Sequence, residues 1–180
     1  AVTSEAFIPT ILPAPSINPF YTLSSTCEGG NLQLSANISG GSEDNLTYNW
    51  VGPNGFTSTA KNPLITNVNE QNNGSYTLTT TTSTGCQINN SVAVAEITNT
   101  PEQPMVISNS PVCQGGMIEL SIEQNTTNST AQYIWINGIG DTIGTDHILA
   151  ITANDEKAIA PYYAQVSVNG CTSVLSAPEQ

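Results

Sequence analysis

The chain has no arginine, two lysines (Lys61 and Lys157) and one histidine (His147), set against 14 acidic residues and a formal net charge of −12. Phosphate recognition needs clustered cations, so this balance excludes nucleic acid as a partner. It disfavours an anionic membrane surface for the same reason. Scarce lysine also leaves trypsin-like proteases little to cut. No apolar run approaches the ~18 residues needed to cross a bilayer, so no membrane insertion is expected. Ala1-Val-Thr-Ser-Glu lacks the basic start of a secretory leader, and a secreted form therefore requires Ala1 to follow a cleavage site.

Chemistry is as thinly supplied as charge. His147 has no partner motif of the G-x-S-x-G or H-E-x-x-H kind, and no catalytic residue is expected. Glu119 and Glu123 read as solvent-facing charges on one strand face rather than a glycosidase pair. With no CxxC and a single histidine, zinc is not expected. Glu43-Asp-Asn45, Asp141 with Asp146, and Asn154-Asp-Glu156 offer oxygen atoms without EF-hand spacing and read as loops. The expectation is a protein with no metal, no cofactor and no enzymatic activity.

What the chain does have is the same statement made twice. Cys27-Glu-Gly-Gly-Asn-Leu-Gln-Leu-Ser35 returns as Cys113-Gln-Gly-Gly-Met-Ile-Glu-Leu-Ser121. Tyr48-Asn-Trp50-Val51 returns as Tyr133-Ile-Trp135-Ile136, Tyr76 as Tyr163, and Thr84-Gly-Cys86 as Asn169-Gly-Cys171. A period this long means tandem domains, since solenoid repeats run to about 50 residues at most. After Cys86 the chain runs on to Pro101-Glu-Gln, whereas after Cys171 it reaches Pro178-Glu-Gln sooner, by about eight residues or one strand. The second domain is therefore expected to lack its last strand.

Leu32, Leu34, Ala36 and Ile38 alternate with polar residues, as do Ile118, Leu120 and Ile122. That is the period of a half-buried strand. Short alternating runs between Gly, Asn and Pro turns recur every 8 to 12 residues or so, the pattern of an antiparallel sandwich. Trp50, Trp135, Tyr76 and Tyr163 are the expected core anchors. Tyr76 follows the turn Asn72-Asn-Gly-Ser and fits a tyrosine corner, its hydroxyl bonded to backbone upstream. Asn154-Asp-Glu-Lys-Ala158 offers one helical turn at most. Two prolines stiffen the linker around residues 101–104.

Cys-x-Gly-Gly, the Tyr-x-Trp strand, Gly-Pro-Asn-Gly-Phe56, the Gly-x-Tyr strand and the closing Gly-Cys together resemble bacterial Ig-like and PKD-like repeats of Bacteroidetes-type surface adhesins and gliding-associated proteins. The resemblance spans residues 25 to 180 and implies an all-β chain of two tandem Ig-like antiparallel β-sandwiches. It also implies secretion to the cell surface or beyond, and a binding or structural role. The expected layout is an extended segment over 1–24, one domain over 25–100, the linker 101–104, and a second domain over 105–180.

Four cysteines, one pair per repeat, point to disulfides and an oxidising compartment. Cys27–Cys86 and Cys113–Cys171 would let each repeat close itself. Those positions nevertheless fall toward opposite ends of a standard Ig path, and the alternative is Cys27–Cys171. The N-terminal segment holds Pro9, Pro13, Pro15 and Pro19, which forbid a helix, together with Ala6, Phe7, Ile8, Ile11 and Leu12, too apolar for a solvated tail. It reads as a donor strand that fills the open edge of domain 2 in another copy. Self is then the expected partner, in a heterologous head-to-tail fibre. The alternatives are an adhesin segment binding glycan or a surface through its loops, or an accessory region of a secreted hydrolase. Asn37, Asn45, Asn73, Asn89, Asn125 and Asn128 lie in glycosylation sequons, making covalent glycans a further expectation.

Overall fold

The computed structural model describes residues 15–40, 46–123, 130–154 and 160–180. The chain divides into two compact units, Ala1–Ile97 and Thr98–Gln180. The expected donor residues Ala6, Phe7, Ile8, Ile11 and Leu12 lie outside the described residues. So do Asn45, Asn125 and Asn128 and most of the expected helical turn after Asn154.

Unit 1 contains β1 (Ser16–Leu23), β2 (Asn31–Ser39), β3 (Thr47–Val51), β4 (Thr57–Ser58), β5 (Leu64–Thr66), β6 (Gly74–Thr81) and β7 (Gln87–Val94). They form two antiparallel sheets, ordered β1-β2-β5 and β4-β3-β6-β7. Alternation decides which side each residue takes: Leu32 and Leu34 on β2, and Tyr76, Leu78 and Thr80 on β6, are buried. With Ile17, Trp50, Val68, Val94 and Ile97 they make one core. Each fully buried large apolar side chain is worth roughly 1.5–3 kcal/mol.

The 1–24 expectation is corrected here. Ser16–Leu23 is the first strand of unit 1, paired along its whole length with β2 from Ser16↔Ser39 to Leu23↔Leu32. Its composition hid it, because Pro19 falls within the strand. At a sheet edge a proline costs little, since the missing N–H faces outward.

Unit 2 repeats the plan with β8 (Met105–Ser108), β9 (Met117–Glu123), β10 (Gln132–Ile136), β11 (Thr142–Gly144), β12 (Ile148–Thr152), β13 (Tyr163–Val168) and β14 (Cys171–Thr172). The sheets are β8-β9-β12 and β11-β10-β13-β14. Leu120, Ile122, Trp135, Leu149, Ile151, Tyr162, Ala164, Val166 and Val168 form its core.

The missing last strand is also corrected. The regular strand β14 is short, but residues 173–179 continue along β13 and occupy its edge. Ser173 donates its backbone N–H to the Val166 carbonyl (2.8 Å) and accepts the Val166 N–H on Oγ (3.1 Å). Ser176 does the same with Ala164, at 2.8 Å and 2.9 Å. Tyr162 and Glu179 then exchange both backbone bonds, at 2.7 and 2.9 Å. The tail advances three residues between these rungs where β13 advances two, so serine hydroxyls stand in for the backbone carbonyls that a regular strand would offer. The sequence count correctly found fewer residues after Cys171. It missed that side-chain oxygens complete the ladder.

Candidate contact surface and the cysteines

The corner of unit 1 is built from its turn upward. Asn69 accepts the Gln71 N–H on its side chain and donates its own N–H to the Asn72 side chain, capping the short 3-10 turn Glu70–Asn72. The Asn72 carbonyl so positioned accepts the Tyr76 hydroxyl at 2.8 Å. Burial pushes the Tyr76 phenol above its ordinary value, with the bond to Asn72 opposing. A Cβ on Gly52 would come within 2.3 Å of the Tyr76 ring, so only glycine lets the ring lie this close.

Trp50 and Trp135 are both fully buried, and each donates its indole N–H to the backbone eleven residues on, Lys61 at 3.4 Å and Asp146 at 2.8 Å. The fourth expected anchor is corrected by one residue. Trp50 faces Leu78 and Trp135 faces Ala164, which makes Tyr162 the counterpart of Tyr76. Tyr162 is buried, its phenol also pushed up by burial, while Tyr163 is half-exposed on the other face. Two adjacent tyrosines satisfy the same motif, and a one-residue slip turns a strand residue to the opposite side.

These anchors lie within the two hydrophobic cores. Among the described residues, no three His, Cys, Asp or Glu side chains are grouped to hold a metal. His147 packs edge-on against Tyr133, ring centroids 5.2 Å apart. The sequons differ in availability. Asn37 and Asn89 are exposed on strands. Asn73 instead donates its amide to the Ile97 carbonyl (2.7 Å) and accepts the Ile97 N–H (3.0 Å), so a sugar on its nitrogen would break that pair.

The outer face of β8-β9-β12 differs from its counterpart in unit 1. Ile107, Ser121 and Ile148 form one row across three strands, the small serine lying between two exposed isoleucines. Ala150 pairs with Glu119, Met105 with Glu123, and Met117 with Thr152. Met105 and Met117 are exposed as well. A shallow depression of about 270 Å³ lies over this row, lined by Ile107, Ser108, Asn109, Glu119, Ser121 and Ile148. Asn109 fixes its wall: its amide donates to the Met117 carbonyl at 3.1 Å and accepts the Glu119 N–H at 2.9 Å. On the matching face of unit 1, β1 and β2 present Ser16, Asn18, Thr22, Asn31, Asn37 and Ser39, with Phe20 and Leu64 as the large exposed apolar residues. Sequence reasoning placed Glu119 and Glu123 outward but gave no weight to the apolar residues beside them.

The within-repeat disulfides are corrected. Cys27 and Cys171 are disulfide-bonded, while Cys86 and Cys113 are free and exposed. In neither unit, then, do the two cysteines bond each other. The strand directions give the reason. Cys27 precedes the start of β2, whereas Cys86 follows the far end of β6, beside the start of β3. A nine-residue strand such as β2 separates those ends by about 30 Å, and a disulfide requires Cα atoms roughly 5.5 Å apart.

A family model described as immunoglobulin domain matches residues 14–95, and unit 1 is an Ig-like domain. Among solved structures, murine CEACAM1b is 14% identical with a TM-score of 0.51, the match covering 91% of this chain and 98% of that one. The complex of a mouse coronavirus receptor-binding domain with its murine receptor gives 14% identity and a TM-score of 0.53, with the same coverage of 91% and 98%. Three N-terminal domains of the outer capsid protein Hoc of bacteriophage RB49 match at 17% identity and a TM-score of 0.40, covering 89% and 58%. At such identities the first two likenesses show the fold alone. No curated protein sequence matches the chain.

Proposed function

We propose that the chain is a non-enzymatic adhesive segment of a bacterial surface or secreted protein, making contact through the outer face of β8-β9-β12. Its partner is a protein surface with apolar side chains at the centre and lysine or arginine at the rim. The observation that carries this is the exposed group of Met105, Ile107 and Ile148, with Met117 further along β9, on a face whose repeat counterpart is mostly polar. Contiguous exposed apolar patches mark interaction sites. Glu119 and Glu123 beside the patch, within a chain of net charge −12, select against acidic partners and favour basic ones. The resemblance to Bacteroidetes-type repeats and the oxidised cysteines support an extracellular setting.

Binding of the chain to a panel of immobilised acidic and basic surface proteins tests this reading. An Ile107→Ser/Ile148→Thr double variant should lose binding, Phe20→Ser in unit 1 should keep it, and added salt should weaken it. Equal binding by all variants, or binding only to arrayed glycans, contradicts it.

A second reading, within the same extracellular class, is a fibre subunit whose Ala6, Phe7, Ile8, Ile11 and Leu12 replace residues 173–179 along β13 of another copy. Its support is the irregular tail, in which only Cys171–Thr172 pairs as a regular strand. It requires the tail's rungs on Tyr162, Ala164 and Val166 to break first. Deleting residues 1–14 should then abolish assembly as followed by light scattering; assembly that survives the deletion contradicts strand donation.

A further inference from the structure

Repeat equivalence sorts the four cysteines into two kinds. Cys27 and Cys113 stand in the same turn, with Gly30 N–H donating to the Cys27 carbonyl (3.3 Å) and Gly116 N–H to the Cys113 carbonyl (2.8 Å). Cys86 and Cys171 stand at the same hairpin, Cys86 directly before β7 and Cys171 as the first residue of β14. The disulfide-bonded set, Cys27 and Cys171, holds one cysteine of each kind. The free set, Cys86 and Cys113, again holds one of each kind, and both are exposed. The free thiols are therefore not strays. Each occupies a loop position whose repeat counterpart is bonded in this same chain.

Both thiols are also held in ordered backbone. The Cys86 hairpin is closed by Thr82 N–H donating to the Cys86 carbonyl at 2.9 Å and by Cys86 N–H donating to Thr82 Oγ1 at 3.0 Å. Thr84 Oγ1 lies 3.8 Å from the sulfur. Within a unit, the two kinds sit at opposite ends of the sandwich, as the strand directions require.

We propose that Cys113 of one copy forms a disulfide with Cys86 of a second copy, so that copies are linked covalently, one kind of end to the other. Unlike ends make the contact heterologous, and it propagates instead of closing as a symmetric dimer. In the reaction the thiolate of one cysteine attacks an oxidant disulfide such as oxidised glutathione and releases one thiol. The second cysteine then displaces the other thiol, so that one S–S bond forms, one is reduced, and both protons leave with the released thiols. The proposal rests on the cysteine pattern and is independent of the apolar face.

Two single variants test it, each purified as the full chain with Cys27 and Cys171 still oxidised. Cys86→Ser leaves only Cys113 free, and Cys113→Ser leaves only Cys86 free. Incubated separately with oxidised glutathione, each should remain monomeric on a non-reducing gel. Mixed, they should give a single dimer, reversed by reductant, whose mapped peptide joins Cys86 to Cys113. The unaltered chain should give a ladder stepping by 18.9 kDa. Unchanged thermal unfolding of both variants checks that they fold. Equal dimer yield from either variant alone overturns the proposal, because it shows indiscriminate oxidation. So does a mixture that stays monomeric while both thiols remain open to alkylation. The Ile107→Ser/Ile148→Thr variant should still form the ladder, so failure of the cross-link and failure of the contact face are distinguishable.

Discussion

Single residues set the character of each core, and Tyr76 does most in unit 1. Its ring lies against Gly52 and edge-on to Phe56, 5.7 Å away, and its hydroxyl bonds Asn72. Tyr76→Phe should keep the packing and lose the bond, lowering stability by about 1 kcal/mol in urea unfolding. A pH signature accompanies it. The folded phenol titrates above the ordinary 10.0 because burial disfavours its charged form. Below that value tyrosine is neutral in both states and the full stability is present. As pH rises, the unfolded chain ionises first, and stability falls until the folded phenol has titrated. Tyr76→Phe should therefore flatten the alkaline loss, and an equally steep decline in the variant contradicts this. Thr80 makes the opposite case, since its buried Oγ1 has no hydrogen-bond partner among the described residues. Thr80→Val should raise stability by about 1 kcal/mol, and a drop in the unfolding midpoint contradicts it. The corner at Tyr76 was legible in the sequence because a turn sits directly before it. Its counterpart was not: Tyr162 and Tyr163 fit one motif equally, and only pairing with the Trp135 strand decides between them.

At the scale of elements, alternation made β2 and β9 readable in the sequence, since one side of each faces a core, and the turn before Tyr76 marked the start of β6. The edge elements were not readable that way. Pro19 disguised β1, and the three-residue steps of the tail carry no alternation to detect. The signal that was present is the spacing of Ser173 and Ser176, which lie 2% and 5% exposed and turn their hydroxyls onto β13. Ser176→Ala removes the acceptor of a buried Ala164 N–H and should destabilise unit 2 by about 1–3 kcal/mol. The denaturant midpoint of the Trp135 fluorescence transition measures it, and no change would mean that the hydroxyl closes nothing.

For the whole molecule, short alternating runs between turns pointed to an all-β chain. The internal repeat marked out two modules, and the division falls at Ile97 and Thr98. The apolar face and the cysteine pattern were hidden for different reasons. An exposed isoleucine and a buried one look alike in a strand, and disulfide partners depend on which ends of the sandwich the loops reach. The functional reading turns on unit 2 being closed by its own tail, because a filled edge leaves contact surfaces and thiols, not a strand vacancy, as the means of association. Amide hydrogen exchange at Ala164 and Val166 in the monomeric chain measures this most directly. Protection comparable to that of Leu78 and Leu120 is the predicted result. Rapid exchange at those two amides, slowed only when an added peptide of residues 1–14 binds, would show an open edge and contradict it.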